Sequence, residues 1–311
     1  MSRALIVGSD GFVGRNLARR LGELGGWSVE GIGRETGDLA QPDVALGAFR
    51  RAAPADVIFH LVTRQRTGQV QFGIQGEMLA INARIHLNIL EAWRQIQPGA
   101  KLISTGSSCA YPESDRPLPE TAFGNGPTHS SVTGYALAKH VLAVGAQTYA
   151  EQYGLTHLHC ILATIYGPGD HKAADRSHFV GAMLERAAIA KLAGDRGFSV
   201  WGDPATVREV LHVDDQIDAI LAAAAAFDNR ILNCTAGVST TVGEVAGAVL
   251  AALNWDAGLK ADPAGFAGAG YKLLDSSDFL AATGWTPRIE LEDGLAALVD
   301  AEYRDARDWS L

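Results

Sequence analysis

Short aliphatic runs alternate with segments of helical spacing along the first half of the chain, and that alternation sets the expected fold. Residues 3–8 form a run with β-branched Ile6 and Val7 that ends in a glycine-rich loop. Residues 12–24 then place Val13, Leu17, Leu21 and Leu24 on one helical face, with Arg15, Arg19 and Arg20 off it. Residues 27–33, 56–62 and 101–106 read as further strands, with helices at 46–53 and 77–96 between them. A helix at 132–153 and a strand at 156–163 continue the series. Strands that are nearly unbroken apolar runs, separated by helices, predict an α/β fold built on a doubly wound parallel sheet buried on both faces.

After Tyr166-Gly-Pro-Gly169 the pattern loosens. It predicts a helix at 178–193, a strand at 198–201, a helix at 214–227, a strand at 230–234 and a helix at 241–254. Gly and Ala dominate 256–270, which reads as a loop with little packing of its own, and a closing helix is expected over 291–305. Residues 1–165 are thus expected to form the sheet domain, with a strand and a helix returning to it from about 205–235. Residues 166–311 supply mainly a smaller C-terminal lobe over the substrate. No internal repeat is visible.

Composition narrows the function classes. Of 311 residues, 47% are hydrophobic and 20% charged, the balance of a soluble globular protein. The net charge of −9, with no clustered Lys/Arg run, argues against a nucleic-acid partner. Cys109, Cys160 and Cys234 are odd in number and scattered without CxxC spacing, so neither a disulfide framework nor a zinc site is expected, and a reducing cytoplasm is. The apolar run at the N-terminus is too short for a signal-peptide core. The small-apolar stretch around 217–227 falls short of the roughly 20 residues needed to span a bilayer, so no membrane association is expected.

The sequence Gly8-Ser-Asp-Gly11-Phe-Val-Gly14 lies between the first strand and first helix, the order a dinucleotide loop requires. Gly8 permits the tight turn, Gly11 lets the backbone approach a pyrophosphate, and Gly14 lets the helix pack on the strand. Unpaired N–H groups at the helix start then face the phosphates. Asp10, Phe12 and Val13 complete this cofactor-binding stretch, and Leu61 near the end of the third strand is placed with it. The second strand ends Gly31-Ile-Gly33-Arg34 with no carboxylate at its tip, so Arg34 is expected to meet a 2′-phosphate. NADP is therefore favoured, with NAD as the alternative, and Asp38-Leu39 is placed to reach the adenine.

Tyr135 and Lys139 stand at i and i+4, which puts both on one helix face about 5–6 Å apart. A free tyrosine titrates near 10, and an adjacent ammonium together with a cationic nicotinamide favours its phenolate. Ser107, at the end of the fourth strand, is placed to hydrogen-bond a substrate oxygen beside the phenol. These groups move a proton while hydride moves to or from a carbonyl carbon.

The glycine loop, the Ser107 strand end and Tyr135-Ala-Leu-Ala-Lys139 resemble the extended short-chain dehydrogenase/reductase superfamily over nearly the whole chain. Tyr166-Gly-Pro-Gly169, Arg208-Glu-Val-Leu-His-Val-Asp-Asp215 and Thr283-Gly-Trp-Thr-Pro287 agree with it. The resemblance implies a Rossmann fold, a nucleotide-diphosphate sugar substrate and a homodimer built on paired long helices. Within that superfamily, Gly106-Ser-Ser-Cys-Ala-Tyr-Pro112, Ser177-His178, Val200-Trp-Gly and Lys272-Leu-Leu-Asp275 resemble the GDP-L-fucose synthase family. That family epimerises C3 and C5 of a GDP-4-keto-6-deoxymannose and reduces C4 with NADPH. By this resemblance Cys109 and His178 are the base and acid of epimerisation, and Ser107, Tyr135 and Lys139 serve reduction. Arg208 and Lys272 contact the nucleotide-diphosphate portion, and Ser108 and Thr164 also lie at the substrate.

The chemistry is consistent: a C4 ketone acidifies protons on both neighbouring carbons, and thiol and imidazole need only modest changes in pKa to exchange them at neutral pH. Plainer roles stay open, with Cys109 as a small buried residue and His178 as a helix-start residue whose surroundings disfavour its charge. His212, beside Asp214 and Asp215, reads as structural. The chain departs from the family at Leu162-Ala-Thr-Ile-Tyr-Gly-Pro168, where Thr164 replaces an asparagine, at Thr63-Arg-Gln-Arg-Thr-Gly68, and at Tyr271, which replaces an arginine. These positions bear on sugar and base recognition more than on the 4-keto chemistry. A nucleotide-sugar 4-epimerase or 4,6-dehydratase with tightly held NAD(P) is the alternative, although Cys109-Ala110 stands where a dehydratase carries Asp-Glu. A non-catalytic cofactor sensor is the remaining alternative, against which the complete Ser-Tyr-Lys set argues.

Overall fold

Successive residues of the first strand enter different cores. In β1 (Ser2–Val7), Ala4 and Ile6 pack on one face of the sheet and Leu5 and Val7 on the other, as the two-residue period of a strand requires. The computed structural model describes residues 1–173, 175–265 and 268–309.

The expected alternation follows: α1 (Phe12–Leu24), β2 (Trp27–Ile32), α2 (Pro42–Arg51), β3 (Val57–His60), α3 (Gln75–Ile96), β4 (Lys101–Ser107), α4 (Thr133–Tyr153) and β5 (His157–Leu162). The second half adds β6 (Thr164–Tyr166), α5 (Phe179–Leu192), β7 (Gly197–Trp201), β8 (Val207–Arg208), β9 (Val210–His212), α6 (Val213–Ala226) and β10 (Arg230–Asn233). It ends with β11 (Thr240–Thr241), α7 (Val242–Ala252), β12 (Gly258–Asp262), α8 (Ser277–Thr283), α9 (Leu291–Glu302) and α10 (Arg304–Asp308).

Six strands form one sheet in the order β10-β5-β4-β3-β1-β2, and every pairing in it is parallel. Phe12, Leu17 and Leu21 of α1 share one face with Ile217 and Ile220 of α6 and Phe279 of α8. Phe49 of α2, Ile89 and Trp93 of α3 and Leu142 of α4 cover the other. This is the doubly wound α/β architecture anticipated above. A separate core of Tyr166, Leu184, Val200, Val249 and Leu298 underlies α5, β7, α7 and α9. No helix among the described residues is long and apolar enough to cross a membrane.

Three expectations need correction. Residues 256–270 are not simply a loop: β12 pairs in parallel with β7 from Gly258↔Gly197 to Asp262↔Trp201. Its side chains are mostly exposed, so backbone pairing holds it and the sequence lacks the apolar alternation that marks a strand. Residues 266 and 267 of that stretch lie outside the described residues. The closing helix breaks at Tyr303, whose φ of −134° is not helical. Helix α2 begins at Pro42, earlier than its apolar spacing implied, because proline is preorganised for the first helical position.

The parallel register has one costly consequence. It sets His60, Ser104 and His159 side by side on β3, β4 and β5, and α3 adds His86 above them. His60 Nε2 lies 2.9 Å from His86 Nδ1, and Ser104 Oγ lies 2.8 Å from His159 Nδ1. All three imidazoles are buried, and His60 Nδ1, His86 Nε2 and His159 Nε2 have no hydrogen-bond partner among the described residues. Burial, with the nearby Lys139 charge, pushes His60 down to about 3 and holds His86 and His159 well below the usual imidazole range. Between pH 6.5 and about 3 the unfolded chain therefore binds protons at these sites that the native fold refuses. Stability is full above pH 6.5 and is lost on acidification, by about 1.4 kcal/mol per pH unit for each histidine wholly neutral in the fold and wholly protonated outside it. Urea unfolding between pH 7 and pH 5 should show that decline. His60→Gln should flatten it, and an unchanged slope would refute the assignment.

Candidate active site

The glycine loop is a close-packed turn between β1 and α1. Gly8 has φ +97°, its N–H donates to Ile32 O at 2.9 Å, and Gly11 N donates to Gly8 O at 3.0 Å. A Cβ on Gly8 would come within 2.7 Å of Val62 N, and one on Gly14 within 2.2 Å of Gly8 O. Only hydrogen fits at either place. Gly11 caps α1 with no side-chain acceptor, which leaves the first helical N–H groups available for an anion. These features fit a dinucleotide pyrophosphate. Phe12 is buried under the loop, and Val13 and Leu61 face the cleft beyond it.

At the tip of β2 the sequence expectation fails in one respect. The strand brings no acid, but Asp10 does: its Oδ2 accepts from Arg34 N at 2.6 Å, and its carboxylate fills the space a Gly33 side chain would take. Arg34 itself is exposed. Asp38 turns its carboxylate onto Ala40 N at 3.0 Å, and Leu39 is buried on the α2–α3 side of the sheet. Asn16, which the sequence did not single out, joins Arg15 in tying α1 to the 166–169 loop. Their side chains reach Pro168 O at 3.0 Å and Gly169 O at 2.7 Å.

A cleft of about 340 Å³ opens at the carboxyl ends of the strands, where ligands of open α/β sheets bind. Ser107, Tyr135, Lys139, Cys109 and His178 all line it, and so do Ser108, Thr164, Arg208 and Lys272. Lys139 is buried, and its Nζ donates to Thr105 O at 2.8 Å and lies 5.7 Å from the Tyr135 ring centroid. Burial draws the Lys139 ammonium down to about 8. The expected easing of Tyr135 toward phenolate is absent in the protein alone. Burial and the neighbouring Cys109 push the phenol above its ordinary range, and a hydrogen bond with Ser107 pulls the other way. Tyr135 is therefore a neutral phenol, the form that donates a proton to a ketone being reduced.

Cys109 faces two cations. Lys272 Nζ donates to its Sγ at 2.9 Å, and its own backbone N–H donates to Ser107 Oγ at 3.2 Å. Burial pushes the thiol up, but the charge and hydrogen bond of Lys272, with Ser107 and Arg208, outweigh it and bring the thiol below its ordinary range. His178 caps α5, and its Nδ1 lies 2.7 Å from Asp170 Oδ1 while its backbone N–H donates to Asp170 Oδ2 at 3.1 Å. Asp170 thus holds both the ring and the backbone of His178 at the helix start. Sequence reasoning missed Asp170, eight residues before its histidine. It also missed Arg186, whose guanidinium lies 3.8 Å over the Trp201 ring in the same cleft. Asn82 was missed too, and it holds the backbone of Arg64 through bonds of 2.7 and 2.8 Å. His212 is structural as expected, accepting Asp214 N at 3.2 Å as the cap of α6.

A second cavity, about 590 Å³, lies at the far end of the smaller lobe beside Trp255 and Arg307. Its Lys191 donates to Leu253 O and Arg307 O at 2.8 Å each.

The cleft and fold define a dinucleotide-linked enzyme of the Tyr-Lys type, and comparison with known proteins gives its family. Residues 4–234 match the NAD dependent epimerase/dehydratase family, and the chain belongs to it. It is 30% identical over 301 residues to a putative GDP-L-fucose synthase 2 of Oryza sativa subsp. japonica, covering 96% of this chain and 86% of that one. Among solved structures, a GDP-6-OMe-4-keto-L-xylo-heptose reductase from C. jejuni superposes with a TM-score of 0.89 at 21% identity, over 98% of both chains. A GDP-L-fucose synthetase from Naegleria fowleri bound to NADP gives 0.85 at 20% identity, over 99% of this chain and 95% of that one. At those identities the structures speak to the fold.

Two glycines of α1 should behave oppositely. Gly14→Ala forces a methyl against a carbonyl that cannot move cheaply and should cost about 1–3 kcal/mol, with loss of dinucleotide affinity. Gly22→Ala meets nothing within 4 Å and should stabilise by about 0.4–1 kcal/mol. Urea unfolding and fluorescence titration with NADPH measure both, and equal effects at the two sites would contradict the packing described.

Proposed function

We propose that this chain is an NADPH-dependent epimerase/reductase of a nucleotide-linked 4-keto-6-deoxy sugar, of the GDP-L-fucose synthase kind. The observation that carries the reading is the convergence on one cleft of a Ser107-Tyr135-Lys139 reduction set and a Cys109/His178 exchange pair. The named activities of the plant relatives support the same substrate class.

When bound, the nicotinamide supplies the hydride. The neutral Tyr135 phenol donates its proton to the carbonyl oxygen as the C–H bond forms, and Ser107 orients that oxygen. Lys139, fixed by Thr105 O, stabilises the resulting phenolate. Before reduction, Cys109 removes a proton from a carbon beside the ketone and His178, held by Asp170, returns one to the opposite face. Arg208, with Arg186 stacked on Trp201, is suited to the diphosphate and base.

NADPH is favoured by the exposed Arg34 and by the NADP bound in the Naegleria fowleri relative. Exposed Leu87 on α3 and Leu137 and Val144 on α4 support a homodimer formed through these neighbouring helices, in the cytoplasm where free thiols persist. A second reading rests on Asp10: a carboxylate at the β2 tip suits the ribose 2′-OH of NAD, and with it a 4-epimerase or 4,6-dehydratase that regenerates its cofactor.

Absorbance at 340 nm with a panel of 4-keto nucleotide sugars separates these. Stoichiometric NADPH loss supports the proposal, turnover without net loss supports the second reading, and silence across the panel refutes both. Tyr135→Phe should slow hydride transfer at least about a hundred-fold while cofactor affinity stays nearly intact. Cys109→Ser should slow solvent-deuterium incorporation at the ring carbons more than reduction, and untouched exchange would remove Cys109 from its role as base.

A further inference from the structure

Lys272 stands where resemblance places a clamp for the nucleotide diphosphate, yet its ammonium points at sulfur. Its Nζ donates to Cys109 Sγ at 2.9 Å, and both groups line the cleft. The segment carrying it is zipped to the floor of the site. Lys272 N donates to Val207 O at 3.1 Å, Leu274 N to the buried Glu209 Oε2 at 3.3 Å, and Asp275 N to Leu118 O at 3.0 Å. The backbone of Cys109 is held as well, because Ser107 Oγ accepts from Cys109 N at the end of β4. Both backbones are thus held by the fold at the positions from which the side chains meet.

We propose that Lys272 is a positioning residue for Cys109: it holds the sulfur as a thiolate aimed into the cleft, and the diphosphate is left to Arg208 and Arg186. This deepens the proposed function and rests on it for the sugar chemistry, but the thiolate itself does not depend on any sugar. In the exchange step the thiolate takes a proton from the carbon beside the ketone, forming S–H as C–H breaks. The bonding pair moves to the carbonyl oxygen as an enolate. The pair returns to carbon when the imidazolium of His178 delivers its proton to the other face. Cys109 then loses its proton to solvent and His178 regains one, so nothing is oxidised or reduced. Lys272 stays beside the sulfur throughout and takes no part in the proton transfers.

The test is the pH dependence of iodoacetamide alkylation at Cys109 in the NADPH-loaded enzyme, followed by peptide mass spectrometry. Cys160 and Cys234 are fully buried and do not compete. Wild-type alkylation should titrate below the value of about 8.5 for a free thiol. Lys272→Met should move that titration upward and slow alkylation at pH 7 about ten-fold, since the thiolate fraction well below the pKa falls about ten-fold when the pKa rises by one. Lys272→Arg should keep most of the wild-type behaviour. A wild-type titration at or above the free-thiol value overturns the proposal without any variant. So does a Lys272→Met titration that coincides with wild type; Lys272→Gln replaces Met if that variant does not fold. With a 4-keto substrate, Lys272→Met should lower the deuterium-exchange rate at saturation more than hydride transfer, whereas a diphosphate clamp would raise KM for both alike. A failed sugar assay beside an intact thiolate titration would refute the substrate reading alone.

Discussion

The ammonium of Lys139, buried and donating to the carbonyl of Thr105, ties α4 to β4, and the chemistry hangs from that contact. Tyr135 sits one helical turn earlier on the same face. Ser107 and Cys109 follow Thr105 where β4 ends and the chain turns through a single 3-10 turn. A buried amine left without its acceptor would cost several kcal/mol, so the bond is a condition of the fold as well as of the site. Sheet register then places everything else: parallel pairing brings the strand ends to one edge, and the glycine loop, the hydroxyl and the Tyr-Lys pair meet there.

Burial also decides the electrostatics. It lowers Lys139 to about 8 and raises Tyr135, so the pair does not begin as phenolate beside ammonium. The protein supplies a proton donor, which suits reduction of a ketone. Cys109 experiences the same burial with the opposite outcome, because Lys272 and Arg208 stand against it. Within one cleft a phenol is kept protonated and a thiol is made acidic, and the difference lies in whether a cation touches the atom that titrates. Lys139 donates to the carbonyl of Thr105, whereas Lys272 donates to the sulfur of Cys109.

The sheet half was legible because its signals are local. Apolar runs, a glycine loop with fixed spacing and an i, i+4 pair each determine structure within a few residues, so β1 to β5, α1, α3 and α4 lie close to where periodicity put them, and α2 starts earlier, at its proline. The lobe was harder. Strand β12 is held by backbone pairing with little side-chain burial, and α8 is too short for a period to emerge, although its Phe279 is buried. Site residues failed to show for a related reason. Asp170 acts through bonds to the ring and backbone of His178 eight residues on, and a carboxylate in a loop looks the same in sequence whether it holds a histidine or meets solvent. The acid at the β2 tip was sought on the strand itself, and it arrived from the loop across from it.

The cleft therefore divides by origin. Ser107 stands at the end of β4, and Tyr135 and Lys139 stand on α4, tied to that strand by the bond to Thr105; the register of the sheet cannot slip without turning every buried side chain to the wrong face. The other cleft-lining groups come from the second half of the chain: His178 at the start of α5, Trp201 at the end of β7, Arg208 on β8 and Lys272 on the segment bridged to it. The departures from the family pattern at Thr164 and Tyr271 fall in that half, and those at 63–68 fall in a loop held to α3 by Asn82. Those positions lie apart from the Thr105–Lys139 bond. The sheet side of the cleft can thus stay fixed while the other side varies, and the contact of Lys272 with Cys109 joins the two.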